Sequence, residues 1–194
     1  ANPCLTQQQK CPFGVIVNGG PAAARVLVSF RPGRYDIKMK VAILGDVHAN
    51  YEALRAVIRH AEQSGVDAYA CVGDIVGYNA DPSRCLELLR ERDCCMSRGN
   101  HAHYCAMPPG PSRMTEVAAA AIAWTRRQLD PEQKRFLGQL PMRRELEGFT
   151  LVHNTLAPRE PWGYVFDVKA AAIHFRRQER AVCFHGHTHV PVVF

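Results

Sequence analysis

The chain has no apolar run near the roughly 18 to 20 residues that a membrane span requires. Its longest run, Val117 to Trp124, is rich in alanine and predicts a helix instead. Its eight cysteines include no C-x-x-C pair, and the adjacent Cys94-Cys95 do not suit a disulfide framework, so they read as reduced thiols of a cytoplasmic protein. Outside the N-terminal stretch the chain also lacks a strong charge of either sign. The formal net charge is +6, but residues 1–38 hold five Lys or Arg against one Asp, while residues 39–194 hold 19 against 17 acidic residues. Most of the basic excess therefore lies outside the body of the protein, which argues against specific nucleic-acid binding. What is present, 47% hydrophobic and 22% charged residues in a chain of 194, suits one globular domain with a sizeable core.

Residues 1–38 show no clear helical or strand period and contain Gly19-Gly20-Pro21 and Pro32-Gly33. Asn18 to Pro21 interrupts the apolar core that a signal peptide would need. The expectation is a disordered or non-native extension, with the domain proper beginning at Met39.

From there the chain alternates strands and helices. Val41 to Leu44 predicts a buried strand ending in Gly45-Asp46-Val47-His48. Asn50 can cap a helix carrying Leu54, Val57, Ile58 and Ala61 on one face, stopped by Gly65. A second strand, Ala68 to Val72, ends in Gly73-Asp74. Asp81-Pro82 then opens a helix with Leu86, Leu88 and Leu89 inward. A third strand, Cys94 to Met96, runs into Arg98-Gly99-Asn100-His101. This rhythm implies a parallel sheet with right-handed crossovers. Helices are expected over Thr115 to Gln128 and from Asp130 to about Leu137. A fourth strand, Thr150 to Val152, ends in His153. A helix over Val168 to Arg177 and a fifth strand, Ala181 to Phe184, lead into Gly186-His187-Thr188-His189, and Val190 to Phe194 could begin a sixth strand.

The strand ends thus carry Asp46 and His48, Asp74, Asn100 and His101, His153, then His187 and His189. Asp and His one residue apart on an extended segment point the same way and can share a metal ion. In open α/β sheets ligands bind beyond the carboxyl ends of the strands, where these residues would converge. The mixture of carboxylate, imidazole and amide suits Mn, Fe, Zn or a neighbouring divalent ion such as Ni or Co better than Ca or Mg.

With GDVH (45–48), GDIVGY (73–78), GNH (99–101), VHN (152–154) and GHTH (186–189), the chain resembles the calcineurin-like metallophosphoesterase superfamily, in particular its small bacterial and archaeal phosphodiesterase branch. The resemblance implies an α/β fold, a four-layer α-β-β-α sandwich over residues 39–194. Its second sheet would be incomplete at the C-terminus, where members continue with further strands. It also implies two divalent ions, with manganese the first choice in vitro: Asp46, His48 and His189 on one, Asn100, His153 and His187 on the other, and Asp74 bridging. A hydroxide activated at this dinuclear centre would attack phosphorus, while His101 stabilises the transition state or protonates the leaving alkoxide. Arg98 is a candidate contact for substrate phosphate. The expected partner is a small phosphoester, nucleotide-derived compounds among the candidates, with no membrane. Cleavage of phosphomonoesters falls within the same expectation.

The sequence departs from the family pattern at Ala102, where members commonly have an acidic residue, and at Asn154, where they usually have Gly. His103 reads as a surface histidine and His60 and His174 as solvated ones. His185 suits a structural role. Trp162 and Tyr164 either line a substrate pocket or cover a sheet edge. Two rival readings follow. A protein serine/threonine phosphatase or dinucleoside-polyphosphate hydrolase is echoed by Arg98 to His101, but Gly77-Tyr78-Asn79 stands where the phosphatases carry Asp-Arg-Gly. A catalytically silent scaffold is disfavoured because all seven ligand positions are filled.

Overall fold

A computed structural model describes residues 39–107, 114–146, 148–157 and 162–194, and the backbone alone of 13–18 and 25–30. The expectation for residues 1–38 falls mostly outside the described residues, which include from that stretch only two strands, β1 (Phe13–Asn18) and β2 (Arg25–Phe30). They form an antiparallel ladder continued by β3 (Met39–Leu44), in which Val28 pairs with Val41. Beyond β3 the same sheet is parallel, through β4 (Ala68–Cys71) and β5 (Cys95–Met96), giving the order β1-β2-β3-β4-β5.

The crossovers are helices α1 (Tyr51–Gln63) and α2 (Pro82–Glu91). In α1 the Asn50 side chain accepts the Ala53 N–H at 3.1 Å, satisfying a backbone donor that the helix itself leaves unpaired. Leu54, Ile58 and Ala61 are the buried face. Asp81 stands at the cap of α2 but makes no capping bond there; its carboxylate pairs with Arg84 at 3.2 Å instead. Leu86 and Leu89 are fully buried, while Leu88 is only partly so.

Three further helices, α3 (Asn100–Ala106), α4 (Glu116–Gln128) and α5 (Pro131–Gln139), fill the middle of the chain. Asp130 and Gln133 form a reciprocal capping box at the start of α5. A second sheet has the order β6-β7-β8, with β6 (Arg143–Glu145) antiparallel and β8 (Val182–Phe184) parallel to β7 (Phe149–Val152). Helix α6 (Val168–Phe175) follows the second sheet's β7 in sequence.

Period-2 alternation along β3 sorts these elements into layers. Ala42 and Leu44 face a core shared with Leu54, Ile58, Leu86 and Leu89 of the helices. Val41 and Ile43 face the other way, into a core with Leu146, Phe149 and Leu151, against which Val182 and Phe184 pack. On β8 the intervening Cys183 meets α6, its Sγ 3.2 Å from His174 Nε2. The order is therefore helices, sheet, sheet, helix, the expected sandwich. Fully burying a side chain such as Phe149 or Leu151 contributes roughly 1.5 to 3 kcal/mol.

Two expectations need correcting. Among the described residues Val190 to Phe194 pairs with no strand. His174 is not solvated: Ala171 and His174 form the buried face of α6, and burial, aided by the nearby charges of His185 and Arg143, pushes its pKa down to about 4. No disulfide joins the six cysteines of the described residues; Cys4 and Cys11 lie outside them. No helix of the described residues is long and apolar enough to cross a membrane.

Candidate metal centre

The loops that leave the two sheets are laced together by backbone hydrogen bonds. After β3, the N–H groups of Asp46, His48 and Ala49 donate to the carbonyls of Gly73, Asp74 and Ile75, at 3.2, 2.8 and 2.8 Å. The Gly186 N–H donates to the His153 carbonyl at 2.9 Å, joining the loops after β7 and β8. The His187 N–H donates to the Asp46 carboxylate at 3.1 Å and so ties one sheet's loop to the other's.

The structure brings the predicted residues together in three overlapping groups whose candidate donor atoms lie within 4.8 Å of one another: Asp46 with His48 and His189, His48 with Asp74 and His101, and Asp74 with His153 and His187. His48 Nε2 is 3.0 Å from His189 Nε2, 4.0 Å from Asp46 and 3.9 Å from Asp74. On the other side His153 Nε2 is 3.1 Å from both Asp74 Oδ2 and Asn100 Oδ1. Asp74 is thus common to both ends of the cluster. His101, on the first turn of α3, donates its backbone N–H to Asp74 Oδ1 at 2.9 Å.

Several ligand candidates sit in a backbone conformation that side chains disfavour. Asp46, His48, Asp74, His187 and His189 have φ between 47° and 69°. Left-handed backbone costs roughly 1 to 2 kcal/mol at a non-glycine residue, less at Asp. Such strain persists where the surrounding structure over-determines it, and it collects at functional sites. Glycine is needed for room at these turns, as Gly99 and Gly73 illustrate. A Cβ at Gly99 would collide with the Asp74 carboxylate, and one at Gly73 would lie 2.8 Å from His153 Nδ1.

The electrostatics suit a cation. Burial pushes His48 and His187 down to about 4, so both are neutral with a lone pair to give. His101 is also lowered, mainly by burial. Burial raises Asp46, with the nearby Asp74 charge adding to it, against opposing histidines. Burial would raise Asp74 too, but the charge and hydrogen bond of His153, then His101 and His48, outweigh it and hold the carboxyl well below its usual range. His153 is raised because that same carboxylate overcomes the effect of burial. The two close carboxylates, with the neutral imidazoles of His48 and His187 beside them, make a site that attracts positive charge. Among the described residues the buried Nδ1 atoms of His48 and His101 have no hydrogen-bond partner. The donor set and its convergence fit divalent metal ions.

His187 Nε2 lies 3.2 Å from the Trp162 carbonyl, which would fix its tautomer and leave Nδ1 for an ion. A backbone carbonyl leaves no mark in a sequence, and this partner was not anticipated. Nor was Tyr78, whose ring contacts both His48 and His101. Tyr164 stacks on His187, so it lies at the site rather than at a remote sheet edge. His103, expected at the surface, is half-buried between Tyr104 and Trp162. Asn154 is buried and His60 exposed; His185 is half-buried beside His174. Arg98 donates from Nη1 to the Gly138 carbonyl at 2.7 Å, which commits part of its guanidinium to α5.

Known proteins resemble this chain in sequence and fold. A metallophosphoesterase from Sphaerobacter thermophilus is 39% identical and superimposes with a TM-score of 0.68 over 79% of this chain and 62% of that one. A hypothetical protein from Pyrococcus horikoshii OT3, 20% identical, shares the fold with a TM-score of 0.60 over 70% of this chain and 64% of its own. An uncharacterized protein of Methanocaldococcus jannaschii is 32% identical over 161 residues, which are 81% of this chain and 65% of that protein. The chain therefore spans somewhat under two thirds of the length of these relatives. The calcineurin-like phosphoesterase superfamily domain matches residues 39–194, and with it the order of layers and the metal-capable cluster at the strand ends agree: the chain belongs to the calcineurin-like phosphoesterase superfamily.

Proposed function

We propose that the protein is a metal-dependent phosphoesterase that hydrolyses phosphodiester bonds of small substrates at a two-ion centre. The observation that carries this reading is the position of Asp74, within reach of His48 on one side and His153 on the other. One ion would be held by Asp46, His48 and His189 and the second by Asn100, His153 and His187, with Asp74 shared. Manganese is the ion of choice for a first assay. Divalent ions bound there supply Lewis acidity, which polarises phosphoryl oxygens and lowers the pKa of water towards neutrality.

The rest falls to the protein's own groups. The ion-paired Asp74 carboxylate stays charged at neutral pH, and the imidazoles of His48 and His187, neutral through burial, keep their lone pairs available. His101, held by its backbone N–H on Asp74, supplies an N–H to the phosphoryl oxygens or to the leaving alkoxide. The strained loops fix these positions before substrate arrives, which is how preorganised electrostatics acts.

The test is hydrolysis of bis-p-nitrophenyl phosphate and p-nitrophenyl phosphate with and without added Mn, for the native chain and Asp74→Ala. Metal-dependent turnover of the diester that Asp74→Ala abolishes is expected. A fully active Asp74→Ala variant would overturn the mechanism, and metal binding without any turnover would favour a silent scaffold.

A further inference from the structure

The floor of the cluster is built of carboxylates and imidazoles, but its rim is aromatic. Tyr78 packs against the two central imidazoles, edge-on to His48 with ring centroids 4.8 Å apart and planes at 62°, and tilted by 50° to His101 with centroids 4.4 Å apart. It is nevertheless 45% exposed. Its backbone is left-handed, with φ 66°, a conformation unusual for a bulky residue. Gly77 before it has φ 94°, and a Cβ there would run into the His101 ring. The chain therefore accepts local strain to lay this ring on the site. From His187 a second set of rings climbs outward: Tyr164 stacks at 4.2 Å and 14°, and Phe166 follows at 5.1 Å and 12°. Both are more than half exposed.

A ring held at an angle by its neighbours and left nearly half exposed to water offers a surface on which a second ring can stack. Base-to-aromatic stacking tolerates any base, since every base has a π face. An aliphatic or sugar phosphate would leave the rim uncovered.

We infer that Tyr78 is a stacking platform for a planar ring carried by the phosphoester, with Tyr164 and Phe166 as a second aromatic wall, so that the substrate class is nucleotide-like. This rests on the reading of the floor as a phosphoryl site. Tyr78 acts as a specificity residue: it holds the ring-bearing part of the substrate while the phosphoryl group meets the floor.

The test is calorimetric titration of the Mn-loaded protein with AMP and with ribose 5-phosphate, which share a phosphate and a ribose and differ in the base. AMP is expected to bind roughly five- to a hundredfold more tightly. Tyr78→Leu should bring the two affinities close together, and Tyr78→Phe, which keeps the ring, should preserve the preference. Equal affinities in the native chain, no binding of either compound, or a preference that survives Tyr78→Leu overturns the platform. So does loss of the preference in Tyr78→Phe, which would assign it to the hydroxyl. Because the readout is a ratio of affinities, a Tyr78 that merely props His101 would leave it unmoved. Absence of hydrolysis in the diester assay would count against the phosphoesterase reading, while the affinity ratio still reports on the platform.

Discussion

Exchanging Gly99 for alanine and exchanging Gly138 for alanine are the same chemical change with opposite expected results. At Gly99 a Cβ would overlap the carboxylate of Asp74, with the Asp74 backbone nitrogen also too close at 2.6 Å. Neither neighbour can yield cheaply. The carboxylate is 1% exposed, pairs with His153 and accepts the His101 N–H. Forcing a methyl group into such a space costs about 1 to 3 kcal/mol. It would also displace the group shared by both ends of the cluster, and disturbing the support of a ligand typically weakens metal binding about 10- to 100-fold. At Gly138, near the end of α5, the nearest atom to a new Cβ is that of Ala106, at an ordinary 3.4 Å. There alanine restricts the unfolded chain and suits the helix, so Gly138→Ala should be neutral or stabilise by about 0.4 to 1 kcal/mol. Urea denaturation of both metal-free variants, followed by Mn titration, reads both effects. Equal stability for the two variants, or native Mn affinity in Gly99→Ala, would refute the reasoning.

His174 has a folded pKa pushed from 6.5 down to about 4, so the unfolded chain binds a proton there that the folded one refuses. Stability is therefore lost as pH falls from about 6.5 towards 4, and in metal-free protein His174→Asn should flatten the fall between pH 7.5 and 5 by up to about 2 kcal/mol, as urea midpoints at the two pH values would show. Asp130→Ala removes half of the α5 capping box and should destabilise by about 0.5 to 2 kcal/mol, measurable by chemical denaturation at neutral pH.

Much of the fold was legible because its elements announce their ends. Asn50 accepts a backbone N–H as the expected cap, and Thr115 and Asp130, expected as helix starts, do the same. Strands β3, β4 and β7 are apolar runs buried on both faces between helices and the opposing sheet. The third sheet-to-helix passage was harder: no helix was expected after the third strand, yet Gly99 is the cap of α3. Strand β6 is Arg143-Arg144-Glu145 and has no apolar signal at all; its pairing with β7 is what makes it a strand. Strands β1 and β2 likewise owe their place to pairing, β1 with β2 and β2 with β3, which no local period reports.

At the site, the residue types at the strand ends were enough to nominate the seven ligand candidates and His101, and all of them meet. The left-handed backbone at Asp46, His48 and Asp74 was not legible, because Asp and His do not advertise it as glycine does. The bond between His187 and the Trp162 carbonyl was hidden for a simpler reason, since every residue has a carbonyl. His174 was misjudged because it is polar; the buried positions of α6, Ala171 and His174, are three apart and offer only one apolar member.

Two ions sharing Asp74 are the centre of the proposed mechanism, and counting them tests it most directly. Mn titrated into the metal-free native chain and read by calorimetry should saturate at two ions per chain. His189→Ala and His187→Ala should each retain one, while Asp74→Ala should weaken both. Saturation of the native chain at a single ion, or an Asp74→Ala variant that still binds two with native affinity, would contradict it.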